Sequence, residues 1–482
     1  MARDARLVLA MTGLLLAALA GLGARLYWVQ IASNPHYETL RRAQSTGRLD
    51  LTESRCDIND ATGTPFAASE AVDSVAVVPE EIREPAALAP RLAVLLGLPV
   101  ETVYETLTAA TAEGRLRKFA WLKRKVSADE AGAVRGLKAP GILLEREYKR
   151  RYPLGTMLSH VLGHVDIDEK GLEGIEFVAE PYLAQLRDSA IVQRDARRQV
   201  VIRPQQDSPT PLRGNLYLTI DVAFQRIVDE ELRKAWDEFR PKWACAVALD
   251  PMTGEVLAWC VLPDFDPNRA GAASADSRRN RALTDPYEPG SVLKPLIVAA
   301  ALERGVVTPD ETFDCQHGTF RHGGRTVHDH KPFGTLTVTE IIANSSNIGA
   351  CKIALRMGPE GVHGALTAFG LNSRTGIDLP GENPGHVKPW AKWSAYTLTS
   401  APIGYELFVT PVQLARAFSA IANGGYLIRP RLIGEVLDEE GYLVHRPPVT
   451  GPPRVVSAET AAKVRAMLEE TVERGTGKEA RV

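Results

Sequence analysis

Residues 285–305 read DPYEPGSVLKPLIVAAALERG, and they place Gly290 and Ser291 directly before an apolar run. Ser291 and Lys294 are three residues apart, which on a helix puts both side chains on one face. A hydroxyl there lies beside the unpaired N–H groups of the first helical turn and within reach of a base one turn on. For Lys294 to be that base it must be neutral for part of the cycle, a state favoured by burial and adjacent cationic groups. The same residues also read as an ordinary helix start, because serine is a common N-cap and a lysine three positions later is commonly solvated. Pro295 removes a backbone donor and biases Lys294 away from α geometry, so a locally irregular first turn is expected.

A second polar cluster, ANSSNIGACKIA at residues 343–354, begins its helical run with Ser345 and Asn347 on either side of Ser346. A hydroxyl and an amide so placed suit relaying a proton and gripping a peptide carbonyl; by themselves they also read as a turn or cap. Around these motifs the pattern is mixed. NLYLTID followed by VAFQRIVDEELRKAWDEF reads as a strand and a helix, and residues 245–262, CAVALDPMTGEVLAWCVL, as two strands around a Pro and Gly turn. Helical periodicity recurs at Pro295–Glu303, Val338–Leu355 and Pro411–Ala422. Before residue 212 it occurs at 99–113 and 128–137, with a strand-like run at Val75–Val78 and a strand leading into a proline-rich linker between Gln193 and Pro211. These elements open an α/β or α+β domain, and α+β is the class expected once the resemblance given below is added.

The chain has 482 residues, enough for about three domains, and Lys plus Arg 57 against Asp plus Glu 59 gives no global electrostatic reason to bind nucleic acid. Cys56, Cys245, Cys260, Cys315 and Cys351 are too dispersed for a zinc or redox pattern, and no metal or cofactor is expected. A hairpin centred between Met252 and Thr253 would set Cys245 opposite Cys260, on one sheet face, as two buried thiols or a disulfide. Leu7–Ala24 carries no charge and follows Arg3 and Arg6, so it reads as a membrane anchor with the N terminus inside; a cleaved signal peptide is the alternative. An amphipathic helix is expected to continue past Arg25. The expected division is a cytoplasmic tail 1–6, an anchor 7–28, a pedestal 29–211 and a catalytic region 212–482, the body lying outside the cytoplasm.

Taken together, EPGSVLKP and NSSN resemble the first two active-site motifs, SxxK and SxN, of the penicillin-binding transpeptidases. NLYLTID with Gln225 resembles the entry to their catalytic domain, residues 249–268 its first hairpin, and TPVQLARAFSAIANGG the segment before its final strands. RYPLG at Arg151–Gly155 and GLEGIE at Gly171–Glu176 are similar to the pedestal, or dimerisation-like, domain of the class B members. The resemblance implies a plasma-membrane, single-pass D,D-transpeptidase that cross-links peptidoglycan stem peptides in cell-wall biogenesis. Ser291 would be the nucleophile and one oxyanion donor, Lys294 its base, Ser345 the proton relay and Asn347 the group that orients the substrate amide. β-Lactams would be covalent inhibitors, and membrane-embedded cell-wall synthesis proteins such as a glycosyltransferase would be partners. A non-catalytic wall scaffold or β-lactam sensor, and an SxxK hydrolase resembling a β-lactamase, are the rival readings.

Two departures from the family pattern stand out. The pedestal usually opens with a pattern like RGxIxDRNG, but here Arg55 is followed by Cys56 and Asp60 by Ala61. No K-[ST]-G triplet occurs; GTGK at Gly475–Lys478 reverses the order and resembles the segment just before the strand that carries it. The expectation is a C-terminally incomplete transpeptidase domain with open sheet edges and weak acylation.

Overall fold

The structure, a computed structural model, describes residues 2–32, 46–52, 54–184, 187–194, 200–202, 213–448 and 451–481. The chain divides into two units, the first made of residues 1–53 and 185–211 and the second of 54–184 and 212–482.

In the first unit the apolar N terminus forms the helix Ala2–Tyr27, which runs on as a π-helical turn over Trp28–Ala32. Leu7–Ile31 is long and apolar enough to cross a membrane, with a mean hydropathy of 2.2 and none of it buried. The helix carries Arg25 within it and continues beyond it, as the sequence pattern suggested. Residues 33–45, the rest of the expected amphipathic helix, lie outside the described residues. Thr46–Thr52, Arg187–Arg194 and Val200–Ile202 form a three-stranded antiparallel sheet.

The second unit is α+β, as expected. Its largest sheet runs in the order Leu443–His445, Ile433–Leu437, Asn215–Leu218, Ile58–Asn59, Pro65–Val77, and Pro65–Val77 also pairs with both Ala120–Lys123 and Ile142–Arg151. Ile58 lies parallel to and opposite Leu216, so strands from both sides of residue 212 share one hydrogen-bonded sheet. Alternation explains the central strand: Leu216 and Leu218 are buried while Asn215 and Tyr217 are not. The core beneath mixes Phe66, Val161 and Ile175 with Leu216, Trp259 and Leu432.

The hairpin of Ala244–Leu249 and Val256–Leu262 has a bulge between Val256 and Ala258 that moves the register by one residue. Cys245 therefore faces Val261, and Cys260 faces Ala246. The expected Cys245–Cys260 pairing fails for that reason: a one-residue slip sends the two thiols to opposite faces, and both cysteines are free.

Lys294–Glu303 is buried almost all round, as an apolar run without a polar stripe must be. Leu296 and Ile297 enter one apolar core, and Val298 and Ala301 enter a second, so the helix is clamped between them. The helical run expected over Val338–Leu355 is two helices, Val338–Ala343 and Asn347–Ala368, separated at the SxN residues.

Arg55 is the hub of a buried ionic cluster. Its Nε donates to Glu176 at 2.7 Å and its Nη1 to Glu180 at 2.7 Å, while Arg150 Nε donates to the other Glu176 oxygen at 2.7 Å. Tyr152 Oη donates to Glu176 at 3.2 Å. Burial would raise the Glu176 carboxyl, but Arg150 and Arg55 outweigh it and hold the group below the usual carboxylate range. Its contribution to stability is thus present above the ordinary carboxylate pKa and is lost as pH falls through the lowered value. Glu176→Ala leaves the buried Arg150 guanidinium without its carboxylate and Arg55 with Glu180 alone, and is expected to cost about 3–5 kcal/mol. Denaturant unfolding of the full chain, followed by tryptophan fluorescence, measures that loss.

Candidate active site

Ser291 lies on a 3₁₀ turn, Gly290–Leu293, whose last bond runs from the Lys294 backbone N–H to the Ser291 carbonyl; the α-helix begins at Lys294. The first turn is irregular, as Pro295 suggested, although Lys294 keeps right-handed helical angles. Pro295 sits near the start of the α-helix, where its missing N–H costs little. Ser291 is exposed and its hydroxyl has no hydrogen bond to another described residue, whereas Lys294 is 1% exposed.

The segment 404–409 straps this turn in place. Gly290 N–H donates to the Gly404 carbonyl at 3.1 Å, and Tyr287 and Val409 exchange backbone bonds at 2.9 and 3.0 Å. Gly404 has φ +84°, and a Cβ on it would fall 2.0 Å from the Gly290 oxygen, so only glycine allows the strap to come so close to the Ser291 turn.

Ser345 owes its position to the break between two helices. Val338–Ala343 ends with Ser345 N–H on the Ile342 carbonyl and Ser346 N–H on the Ile341 carbonyl, at 3.0 and 2.9 Å, a Schellman arrangement. That places Ser345 at φ +54°, in a left-handed site that glycine normally fills. Ser346 then caps the next helix, accepting the Gly349 N–H at 3.0 Å.

Lys294 Nζ donates to the Ser345 carbonyl at 2.6 Å and to Ser345 Oγ at 3.0 Å. Burial pushes its pKa down to about 8, against the opposing pull of Asp329. The Cys351 thiol is itself pushed up to about 12 by burial, so near neutral pH it carries no charge and Asp329 is the anion that Lys294 feels. Asn347 Nδ2 donates to the His328 carbonyl at 2.9 Å, which leaves its Oδ1 as an acceptor. The structure thus joins Lys294 directly to Ser345, puts Asn347 on the same helix break, and sets Ser291 one turn ahead of Lys294.

Residues 244–482 match the penicillin binding protein transpeptidase domain, and residues 51–215 the penicillin-binding protein dimerisation domain. The chain is 32% identical over 466 residues to a protein of Neisseria meningitidis named probable peptidoglycan D,D-transpeptidase PenA, covering 95% of this chain and 76% of the relative. The chain belongs to the class B penicillin-binding proteins, the peptidoglycan D,D-transpeptidases. This penicillin-binding protein is also 33% identical over 429 residues to the peptidoglycan D,D-transpeptidase FtsI of Escherichia coli, covering 88% of this chain and 72% of that one. Among solved structures it resembles penicillin binding protein 3 of Mycobacterium tuberculosis complexed with aztreonam, with a TM-score of 0.66, 29% identity, and coverage of 90% of this chain and 80% of that one.

Two residues of this site escaped the sequence reading. Asp329 accepts from Ser346 Oγ at 2.8 Å and from the backbone N–H groups of Asn347 and Ile348 at 2.5 and 3.0 Å. His328 supplies the carbonyl that holds Asn347. Both come from the end of a hairpin, Thr319–His322 with Arg325–His328, and HDHKPFG carries no periodicity that would mark them. A carboxylate at a helix N terminus satisfies its free donors and is favoured by the helix dipole.

The strained Ser345 backbone gives a test that is independent of catalysis. Ser345→Gly and Ser345→Ala both lose the hydroxyl, but only glycine relieves the left-handed conformation. The glycine variant is expected to be more stable than the alanine variant by about 1 kcal/mol, read from their thermal midpoints.

Proposed function

We propose that this penicillin-binding protein cross-links peptidoglycan stem peptides through an acyl-enzyme on Ser291, and that penicillins acylate the same hydroxyl. The observation that carries the reading is Lys294, buried, held by Ser345 and lowered to about 8, one helical turn behind an exposed serine. Neutral Lys294 takes the Ser291 proton as Oγ bonds to the penultimate D-Ala carbonyl carbon. The C–N bond to the terminal D-Ala then breaks, and Lys294 with Ser345 returns the proton to the departing amine. The amine of a neighbouring stem next attacks the ester carbonyl, loses a proton to the same relay and frees Ser291. Asn347 Oδ1, left open by the bond from Nδ2 to His328, accepts the substrate amide N–H, and the Ser291 N–H supports the developing oxyanion.

Residues 1–6 lie in the cytoplasm, 7–28 anchor the chain in the plasma membrane, 29–211 form the pedestal and 212–482 the transpeptidase region on the extracytoplasmic side. Arg3 and Arg6 before the apolar span support that orientation. A membrane-embedded glycosyltransferase complex that makes the glycan is the partner this placement calls for.

Labelling the full chain with a fluorescent penicillin and mapping the modified peptide tests the nucleophile. Ser291→Ala is expected to abolish labelling, and Lys294→Ala to slow it by about 10²- to 10⁴-fold. Label on another serine would overturn the assignment.

The pH dependence follows from the lysine. Only the neutral amine accepts a proton, so the acylation rate is expected to rise with pH and level off above about 8. Asp329 raises the Lys294 pKa, and removing its charge in Asp329→Asn is expected to move the rising limb to lower pH, whatever its effect on the plateau. Stopped-flow acylation across pH reads both; a limb unmoved by Asp329→Asn would show that the lysine is not the titrating base.

A further inference from the structure

A second polar site lies away from Ser291, on the Ile142–Arg151 strand of the pedestal. A cavity of about 260 Å³ is lined by Lys125, Lys149, Arg150 and His164 from the pedestal, and by Asn268 and Arg269 from the segment after the catalytic hairpin. Lys125 and Lys149 also line a larger cavity of about 800 Å³, together with Lys123, Arg146 and Arg151. The two spaces therefore adjoin through these lysines, and basic side chains run through both.

The acids nearby are already engaged, and two of them neutralise Arg151 and Lys123 of the same lining, which leaves other cations to carry the positive charge. Glu70 pairs with Arg151 at 2.5 Å, Glu130 with Lys123 at 2.5 Å and Asp73 with Arg135 at 2.9 Å. Asp166 accepts the backbone N–H groups of Asp168 and Lys170. Among the described residues Arg146, Lys149 and Arg269 have no ion pair or side-chain hydrogen bond. Arg150 is 5% exposed; its Nε and Nη1 are bonded, but its Nη2 has no hydrogen-bond partner. Lys125 is held at φ +53°, with its N–H on Ser74 Oγ at 2.7 Å and its Nζ 3.8 Å from Glu169. Burial pushes its ammonium below the ordinary value, against the pull of Glu169. Cations of one sign gathered around a recess raise its local potential and attract an anion to it.

We propose that these two adjoining recesses bind a peptidoglycan strand through the free carboxylates of its stem peptides, with Lys149 and Arg269 as the principal contacts. The proposal rests on the wall polymer being the substrate and adds a site that grips it away from the reacting bond. A polymer with spaced carboxylates suits the cleft better than one compact ion, because the larger cavity alone is about 800 Å³ and the free cations are distributed along it. Since Arg269 and Asn268 lie across from the pedestal residues, a bound strand would touch both sequence regions at once.

The test uses the detergent-solubilised full chain and soluble glycan strands whose stems have been trimmed of the D-Ala-D-Ala end, so that nothing reacts at Ser291. Titration calorimetry is expected to show saturable binding that weakens with salt. Lys149→Gln with Arg269→Gln is expected to weaken it about tenfold or more, while Lys149→Arg keeps it. Strands with amidated stem carboxylates are expected to bind as poorly as the double variant shows for free ones. Equal binding by wild type and double variant, or equal binding of amidated strands, would overturn the proposal. Binding of inorganic phosphate without binding of strands would also overturn it and leave a small-anion site. Penicillin labelling at Ser291 is scored separately, so failure of this cleft and failure of the proposed nucleophile give different results.

Discussion

Burial of one ammonium group organises the catalytic half of this protein. Lys294 begins a helix with no polar stripe, and that helix persists only because apolar cores cover both of its sides. The enclosure that stabilises the helix also strips water from the lysine, which brings its pKa to about 8. The ammonium cannot remain there unpaired, and Ser345 supplies both a carbonyl and a hydroxyl to receive it. Helix packing and the lowered lysine pKa are thus two consequences of the same burial.

The receiving serine depends on a second constraint, the abrupt end of a helix. Ser345 reaches Lys294 because Val338–Ala343 closes with a left-handed residue before the next helix begins. Such backbone strain is held only where surroundings over-determine it. Here Asp329 supplies that hold, receiving the Ser346 hydroxyl and two backbone donors of the following helix. The same carboxylate acts on the buried lysine, so it both fixes the second motif and opposes the fall of the lysine pKa.

The pedestal and catalytic stretches are similarly joined by shared structure. Strands from residues 58–77 and 215–218 lie in one sheet, and the Arg55, Arg150 and Glu176 cluster braces the pedestal beside it. The sequence departure at Cys56 leaves that brace intact, because Arg55 supplies the charge while Cys56 contributes its carbonyl to Arg150. Tyr152 and Asn268 exchange two hydrogen bonds across the joint. Residues that look like pedestal signatures in one dimension, Arg151–Gly155 and Gly171–Glu176, therefore sit at the contact with the catalytic region.

Local rules in the chain were enough to determine the apolar N-terminal helix, a mixed helix and strand class, the strand and helix after Asn215, and the i, i+3 placement of Ser291 and Lys294. Each rests on periodicity, composition or spacing over a few residues. Tertiary structure decided the rest. A bulge at the catalytic hairpin moved Cys245 away from Cys260, since one extra residue reverses the face of every later side chain. The helix break at Ser345 looked like continuous periodicity, because its cause is a left-handed cap and an anchoring carboxylate rather than a change in hydrophobic pattern. Asp329 stayed invisible for the same reason: its role comes from a hairpin that folds back onto a helix N terminus, and only the folded chain sets that carboxylate beside Ser346 and within the field of Lys294.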